Sequence, residues 1–151
     1  MQNHNRTAVV TGGSTGIGKA ICLRLLDRGF TVINLARREL DFKHRDFHDI
    51  QVDLSSRAET AEAGNRISNE FEVSDFIHNA GLIRAALLQE VSLKDLDYLI
   101  EVHLASAITL AQKFIPEMRN KNFGRIVLIS SRAALGLETR TSYSATKSGM
   151  I

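Results

Sequence analysis

Three side chains in the last quarter of the chain have types and spacing suited to acid–base chemistry. Tyr143 and Lys147 stand four residues apart in the stretch YSATK, so a helix would present the phenol and the ammonium on one face. A tyrosine ordinarily titrates at about pH 10, and a neighbouring cation favours its phenolate, which suits it to general acid or base work. Ser131 ends an apolar run upstream of this pair. That position makes proton transfer a testable hypothesis, although the pair alone is a weak signal.

A glycine-rich run near the start has the composition of a phosphate-binding turn. Residues 11–18, TGGSTGIG, lie between an apolar stretch and a run with helical periodicity. Gly12, Gly16 and Gly18 would let the backbone approach a diphosphate just before a helix whose first N–H groups attract an anion. The spacing differs from G-x-G-x-x-G, and the residue after Lys19 is not the Ser or Thr of a triphosphate loop. A flexible surface turn is the alternative that the glycines alone leave open.

This run lies inside a predicted βαβ unit. We predict a buried strand, a helix and a second buried strand at residues 6–11, 16–28 and 30–36, with Gly29 closing the helix. In such units an acidic residue about 20 positions past the glycines binds a ribose 2′-hydroxyl, whereas an arginine there accommodates a 2′-phosphate. Arg37 and Arg38 occupy that place, which favours NADP over NAD. A plain solvated arginine pair is the alternative.

The rest of the chain continues the alternation of strand and helix. Further strands are predicted at residues 50–54, 74–78 and 124–131, and further helices at residues 55–71 and 92–118. Ser92 and Asp95 form an approximate capping box for the long helix. The first of these helices is predicted to bury one side, formed by Ala58, Ala61, Ile67 and Phe71.

Two polar residues lie at the carboxyl ends of predicted strands, the edge where open α/β sheets bind ligands. Asp53 is an acceptor that could meet an adenine amino group. Asn79 precedes Ala-Gly and is a candidate site residue, although an asparagine there can simply satisfy turn backbone. These two residues therefore extend the candidate site along the sheet edge.

Metal and thiol chemistry have little support in the sequence. His44 and His48 stand four residues apart in a polar connection spanning residues 37–49, and a helix would turn both imidazoles toward a zinc ion. No third ligand is nearby, so we favour a solvated loop and predict no metal site. The single cysteine, Cys22, falls in a helical pattern and is interpreted as a buried apolar residue.

The composition fits one globular domain. The 151 residues are 44% hydrophobic and 24% charged, which disfavours disordered and fibrous classes. A formal charge of +2, with scattered Lys and Arg, gives no reason to expect nucleic acid as a partner. Residues 1–6 contain no apolar signal region, and no run approaches the roughly 18 apolar residues of a membrane span. We expect a cytoplasmic protein without a membrane partner.

Four motifs, in this order and at these separations, resemble the short-chain dehydrogenase/reductase family: the glycine run 11–18, Asn79-Ala80-Gly81, Ser131, and Tyr143-x-x-x-Lys147. The resemblance spans nearly the whole chain. It implies an α/β fold with a three-layer, doubly wound parallel sheet of Rossmann-like type, in the strand order 3-2-1-4-5. Residues 1–151 would form a single dinucleotide-binding domain, incomplete at its C-terminus, in a homo-oligomer.

The resemblance also implies roles for individual residues. Ser131 would hydrogen-bond the substrate oxygen, Tyr143 would pass the proton, and Lys147 would hold the nicotinamide ribose and favour the tyrosine phenolate. The implied reaction moves a hydride between NADP(H) and a carbonyl or secondary alcohol. The implied cofactor-binding residues are Gly12, Ser14, Thr15, Gly16, Ile17, Gly18, Arg37, Arg38, Asp53, Leu54, Asn79, Ala80, Gly81, Tyr143 and Lys147.

The chain departs from the family pattern at His103. Many members carry an asparagine at this position, where it supports a proton relay through water. An imidazole can both donate and accept, so the relay could persist in altered form. A histidine on an apolar helix stripe is also commonly a satisfied core residue, and both interpretations stay open at this point.

The second departure is the position of Ile151, four residues beyond Lys147. Family members continue with further strands and a substrate-binding loop, so we expect these residues to be a fragment of a longer product. We then expect the fifth strand to be an open apolar edge and the last helix to fray. A non-catalytic dinucleotide-binding module and an inactive truncated fragment are the alternatives to an active reductase.

Overall fold

A computed structural model describes residues 6–151 as one parallel sheet with helices on both faces. The prediction of no apolar signal region falls mainly on residues 1–5, which lie outside the described residues. Five parallel strands stand in the order β3-β2-β1-β4-β5, which confirms the predicted α/β fold and strand order. The strands are β1 (Thr7–Thr11), β2 (Thr31–Ala36), β3 (Phe47–Gln51), β4 (Val73–His78) and β5 (Arg125–Leu128).

The helices connect successive strands and cover the sheet. They are α1 (Gly16–Asp27), α2 (Arg57–Glu70), α3 (Leu93–Ile100), α4 (Ser106–Asn120) and α5 (Thr141–Ser148). The predicted long helix is interrupted by a π turn, Glu101–Ala105, which joins α3 to α4. Ser92 lies at the N-cap of α3, but its side chain forms no capping hydrogen bond there, so the capping box was predicted wrongly. Among the described residues, no helix combines the length and apolar composition needed to cross a membrane.

Alternation along the buried strands produces two cores, one on each face of the sheet. Val9, on one face of β1, packs in a cluster with α2 and α4 that includes Ile67 and Phe114. Its neighbour Val10 points to the opposite face and packs with Cys22 of α1. The three layers therefore follow from strands that are apolar on both faces, as the uniform runs of the sequence predicted.

β3 begins earlier than the sequence predicted. It runs from Phe47 to Gln51 rather than over residues 50–54, because these are the residues that pair with β2. The Asp49 side chain accepts hydrogen bonds from Asn34 Nδ2 at 2.8 Å and from Leu40 N at 2.6 Å. His48 lies in this strand and packs edge-on against Phe71, with ring centroids 4.8 Å apart. His44 stays in the preceding loop, so the helical face required by the zinc alternative does not form.

The buried face of α2 agrees with the prediction at Ile67, and Phe71 packs against the same core, but it differs in the first half of the helix. The structure buries Thr60, Ala63, Gly64 and Ile67, while Ala58 is exposed. Gly64 sets this face: a Cβ there would lie 3.0 Å from Lys113 Cγ on α4, so α2 approaches α4 closely at the glycine. The positions of apolar residues alone favoured a neighbouring face of α2, but contact with α4 determines which face is buried. Ser56 caps the helix by accepting from Glu59 N.

β5 forms one edge of the sheet among the described residues. It is shorter than the predicted strand, and Ile126, Val127 and Leu128 are 43%, 45% and 39% exposed. The expectation of an apolar open edge is therefore confirmed. Beyond it, α5 is helical through Ser148 and Met150 is buried, so the static structure does not show the fraying that we expect at this end.

Candidate active site

A cleft of about 370 Å³ opens at the carboxyl ends of β1, β2 and β4. It lies where the chain crosses from one side of β1 to the other, which is the usual ligand position in doubly wound sheets. The predicted residues that line it are Gly12, Ser14, Thr15, Gly16, Ile17, Arg37, Arg38, Asp53, Leu54, Asn79, Ala80 and Gly81. Sequence reasoning missed six further lining residues, which are Leu35, Ala36, Val52, Leu82, Tyr98 and Val102.

The glycine turn needs glycine at different positions for different reasons. Gly12 and Gly16 adopt positive φ angles of 68° and 55°, a region that residues with a Cβ rarely enter. Gly18 has no lining atom in the cleft, but a Cβ there would overlap the carbonyl oxygen of Gly12. Gly18 therefore allows the first turn of α1 to pack directly on the turn that precedes it.

Gly13 is a structural residue of the turn that sequence reasoning missed. Its N–H donates to Asn34 Oδ1 at 2.7 Å, and a Cβ there would overlap Asn34 and Cys22. Asn34 is itself oriented by Asp49 of β3. Cys22 is fully buried, and the pKa of its thiol is raised to about 12. Burial is the main cause, and the negative charge of Asp49 raises the pKa further. The thiol is therefore neutral, as interpreted from the sequence.

Asn79 joins the turn after β4 to the glycine turn. Its Nδ2 lies 3.2 Å from the Thr11 carbonyl oxygen and 3.1 Å from that of Gly12. The Asn79 and Ala80 N–H groups both donate to Thr11 Oγ1, at 3.0 and 2.9 Å. The amide therefore bonds backbone on the cleft wall, so its direct contact with a cofactor stays a prediction.

These bonds also fix the protonation of His78. Thr11 Oγ1 accepts two N–H donors, so its hydroxyl proton is left for His78 Nδ1, 3.0 Å away. The ring proton must then sit on Nε2, which forms no well-aligned hydrogen bond among the described residues, although the backbone of Val102 and His103 lies near enough to raise the His78 pKa slightly. Burial, followed by the charge of Lys147, lowers the pKa of His78 to about 4. His78 is therefore a buried neutral imidazole.

One end of the cleft concentrates positive charge. Arg37 and Arg38 line it directly after β2, and Arg37 Nη1 lies 3.5 Å from the phenol oxygen of Tyr98. Arg84 lies over the Tyr98 ring, 5.5 Å from its centroid, but it is paired with Asp95 and does not line the cleft. The Asp53 carboxylate accepts the N–H and hydroxyl of Ser55, and the backbone bond is the main cause of its lowered pKa, with Arg37 a smaller one. This end can hold an anion.

Tyr143 and Lys147 share one face of α5, as their spacing predicted. Lys147 Nζ lies 5.9 Å from the centroid of the Tyr143 ring and donates to the Ile129 carbonyl oxygen at 2.8 Å. Burial lowers the pKa of Lys147. A Cβ on Gly81 would lie 3.3 Å from this Nζ, so the ammonium is close to a residue of the cleft wall. The predicted catalytic residues Ser131, Tyr143 and Lys147 are not among the residues that line the cleft. Ser131 starts the 3₁₀ turn Arg132–Leu135 and accepts the Ala133 N–H at 3.1 Å.

His103 is fully buried in the π turn, with both ring nitrogens in hydrogen bonds. Nε2 lies 3.2 Å from Leu82 N, and Nδ1 lies 2.8 Å from Thr146 Oγ1 on α5. The ring meets that of Tyr143 edge-on, with centroids 5.6 Å apart. Burial, then the nearby Lys147 and His78, lower the pKa of His103 to about 4. The structure therefore favours the satisfied core residue among the two interpretations of the sequence.

The parallel sheet, its strand order and the glycine turn at the crossover define a Rossmann-like α/β domain. The family model for short chain dehydrogenases matches residues 6–151, and the chain belongs to that family.

Two curated relatives and one solved structure that this chain resembles are named as reductases. Acetoacetyl-CoA reductase of Cupriavidus necator is 34% identical over 96% of this chain and 64% of its own length. The 3-oxoacyl-[acyl-carrier-protein] reductase of Escherichia coli is 31% identical over 100% and 65%. The crystal structure of a 3-oxoacyl-(acyl-carrier-protein) reductase from Agrobacterium tumefaciens with NADP bound has a TM-score of 0.86 at 28% identity, covering 97% and 61%. The chain thus spans about two-thirds of the length of such relatives, or slightly less.

Proposed function

We propose that this chain is the cofactor-binding and catalytic part of an oxidoreductase that transfers a hydride between NADP(H) and a carbonyl or secondary alcohol. The observation that supports the proposal is the closeness of Lys147 Nζ to Gly81, because Gly81 lines the same cleft as the glycine turn and Lys147 shares a face of α5 with Tyr143. Bound NADPH would supply the hydride. The chain's own residues would bind it, orient the substrate and move the proton.

The residues present fit a dinucleotide with a 2′-phosphate. The glycine turn offers close backbone approach and the N-terminus of α1 to a diphosphate. At the other end, Arg37 and Arg38 offer guanidinium groups to a second phosphate. The NADP in the Agrobacterium tumefaciens structure supports the same cofactor for this chain.

In the reducing direction, the hydride would reach the carbonyl carbon while Tyr143 gives its phenolic proton to the carbonyl oxygen. Ser131 would donate a hydrogen bond to that oxygen, and Lys147 would bind the nicotinamide ribose and stabilise the resulting phenolate. The names of the relatives favour a 3-oxoacyl thioester as the first substrate to test. The cytoplasmic location and the homo-oligomer that the sequence led us to expect remain part of this proposal.

The test is turnover by the complete gene product and by its Tyr143→Phe variant, using NADPH with acetoacetyl-CoA and a panel of simple ketones. Removing the phenolic proton should lower kcat at least about a hundredfold, because the loss of general acid catalysis removes that much. NADPH binding, followed by nucleotide fluorescence, should persist in the variant. Equal turnover by the two proteins would remove Tyr143 from the mechanism.

A non-catalytic dinucleotide-binding module is the second candidate. It is favoured by His103, whose two nitrogens are both engaged, at the position where many members carry the asparagine of the proton relay. This alternative predicts NADPH binding without turnover of any substrate in the panel. Robust reduction that depends on Tyr143 would exclude it.

A further inference from the structure

His103 links two segments whose relative position matters for the proposed site. One is the turn after β4, which includes Gly81 and Leu82 on the cleft wall, and the other is α5 with Tyr143 and Lys147. We infer that His103 is a positioning residue that holds α5 against this turn through Thr146, and that it does not itself carry the reaction's proton. The catalytic consequence of this inference rests on the proposed function, whereas the hydrogen-bond arrangement can be tested without it.

The directions of the two His103 hydrogen bonds are fixed because one partner, a backbone N–H, can only donate. Leu82 N–H can only donate, so His103 Nε2 must accept at 3.2 Å and carry no proton. The neutral ring then has its proton on Nδ1, which donates to Thr146 Oγ1 at 2.8 Å. The Thr146 hydroxyl in turn donates within α5 to the carbonyl oxygen of Ser142 or Tyr143, at 3.2 or 3.1 Å. The His103 tautomer is therefore fixed, whichever of the two carbonyl oxygens accepts the Thr146 hydroxyl.

The same directions make His103 a poor proton carrier. A second proton on Nε2 would face the Leu82 N–H, so two donors would meet in a fully buried site. Loss of the Nδ1 proton would leave Thr146 Oγ1 without its donor. Lys147 on α5 also opposes a positive charge on the ring, while the nearby His78 at the end of β4 is itself neutral. Tyr143 meets the ring only by its edge.

Packing explains why the position of α5 depends on this ring. The turn offers no side chain at Gly81, and a Cβ there would lie 3.1 Å from His103 Nε2 and 3.3 Å from Lys147 Nζ. The ring therefore fills the space between the turn and α5, and it rests against Tyr143. The π turn that carries His103 is an irregularity of the kind often found at functional sites. Loss of either hydrogen bond should let Tyr143 move relative to the cleft.

The first experiment reads the hydrogen bonds directly. Imidazole ¹⁵N spectra of the complete protein at pH 7 should show the His103 proton on Nδ1 and the His78 proton on Nε2, with signals assigned by single variants. The Leu82 amide should exchange slowly with solvent in the wild type. It should exchange about tenfold faster or more in His103→Phe and in Thr146→Val, because each breaks the hydrogen-bond chain. Thr146→Ser, which keeps the hydroxyl, is the matched control and should exchange like the wild type.

The second experiment separates positioning from proton transfer. Misplacement of Tyr143 by a fraction of an ångström should lower kcat about tenfold to a hundredfold in Thr146→Val, with NADPH affinity changed less than about threefold. Thr146→Ser should recover the wild-type kcat. The double variant with His103→Phe should lose no more than the worse single variant, since both act through one contact.

Three results would overturn the inference: a His103 proton on Nε2, an imidazolium at pH 7, or an unchanged kcat in Thr146→Val together with abolished turnover in His103→Phe. The last would mean that His103 acts on its own, as a relay group would. A wild-type protein that binds no NADPH would contradict the proposed function instead, while the ¹⁵N spectra and the Leu82 exchange would still decide the hydrogen-bond arrangement.

Discussion

At the scale of single residues, the glycine turn shows that glycines of one motif can be required for different structural reasons. Gly16 has open space where a Cβ would point but a positive φ, whereas Gly18 has an ordinary φ but no space. The motif alone could not show which glycine is needed for its backbone conformation and which for the lack of space for a Cβ. The distinction predicts different costs for the same substitution at the two positions.

Alanine should therefore be tolerated better at Gly16 than at Gly18. Gly16→Ala should lower the free energy of unfolding by about 1 to 2 kcal/mol, the usual cost of a left-handed residue with a Cβ. Gly18→Ala should cost more and should abolish NADPH binding, because the carbonyl of Gly12 and the Asn79 amide must both move. Urea unfolding and fluorescence titration measure the two effects. A smaller loss at Gly18 than at Gly16 would contradict the packing argument.

Arg37 is expected to decide between the two dinucleotides. Arg37→Ala should weaken NADPH binding about tenfold to a hundredfold, since a hydrogen bond to a charged group contributes about 1.5 to 3 kcal/mol. NADH, which lacks the 2′-phosphate, should be affected far less. Arg66→Ala is the control, because Arg66 lies on α2 outside the residues that line the cleft. Equal losses for both dinucleotides would refute the assignment of Arg37 to the 2′-phosphate.

At the scale of elements, β3 carries a polar side chain that supports the glycine turn from a distance. Asp49 accepts from Asn34 Nδ2, and Asn34 Oδ1 accepts from Gly13 N. The strand thus orients the turn through one intervening amide. Sequence reasoning placed Asp49 in a solvated loop, because a single acidic residue between a histidine and an isoleucine carries no sign of the partners that burial supplies.

Asp49→Ala should destabilise the fold by about 2 kcal/mol. It leaves Leu40 N and Asn34 Nδ2 without their acceptor at part-buried positions. Asp46→Ala is the matched control, since within residues 6–151 its carboxylate pairs only with the neighbouring His44 and Arg45, which are substantially exposed. Urea unfolding of the two variants gives the comparison. Equal stability would mean that the Asp49 bonds contribute nothing net.

The helices show a similar division between pattern and packing. Helical periodicity located α2 and the long helix and identified Ile67 as buried, but it included the exposed Ala58 in the buried face and omitted Gly64. It also gave no sign of the π turn, since side-chain spacing changes little across five residues. Both features depend on which helix lies opposite, and the sequence of one helix does not contain that information.

At the scale of the whole molecule, two buried histidines predict a loss of stability in mild acid. Burial is the main cause that lowers the pKa of His78 and of His103 from 6.5 to about 4, and Lys147 adds to both. Between about pH 4 and pH 6.5 these two histidines are protonated in the unfolded chain and neutral in the folded chain. The free energy of unfolding is therefore undiminished by these histidines above about pH 6.5. It falls as the pH drops toward 4, by up to about 3 kcal/mol for each histidine.

The measurement is the free energy of unfolding in urea between pH 7 and pH 4. Two such groups give a slope of up to about 2.7 kcal/mol per pH unit in the middle of this range, and His103→Phe should remove about half of it. The variant is less stable at pH 7 but less sensitive to acid. An unchanged slope in the variant would show that His103 takes up its proton in the folded state as readily as in the unfolded one.

The sequence by itself determined the features that depend on near neighbours along the chain. Alternating strands and helices, the glycine turn after β1 and the i, i+4 pair of Tyr143 and Lys147 are all local patterns, and the strand order followed from their succession together with the family resemblance. These were predictable because backbone geometry converts short spacings into shared faces and edges.

Only the tertiary structure decided the features that join distant residues. His103 meets Leu82 and Thr146, which lie 21 and 43 positions away, and Gly13 meets Asn34 at 21 positions. Tyr98 reaches the cleft from α3 although its own stretch suggests only a helix surface. Long-range hydrogen bonds and burial fix tautomers, pKa values and close approaches, and these depend on the environment that the whole fold creates.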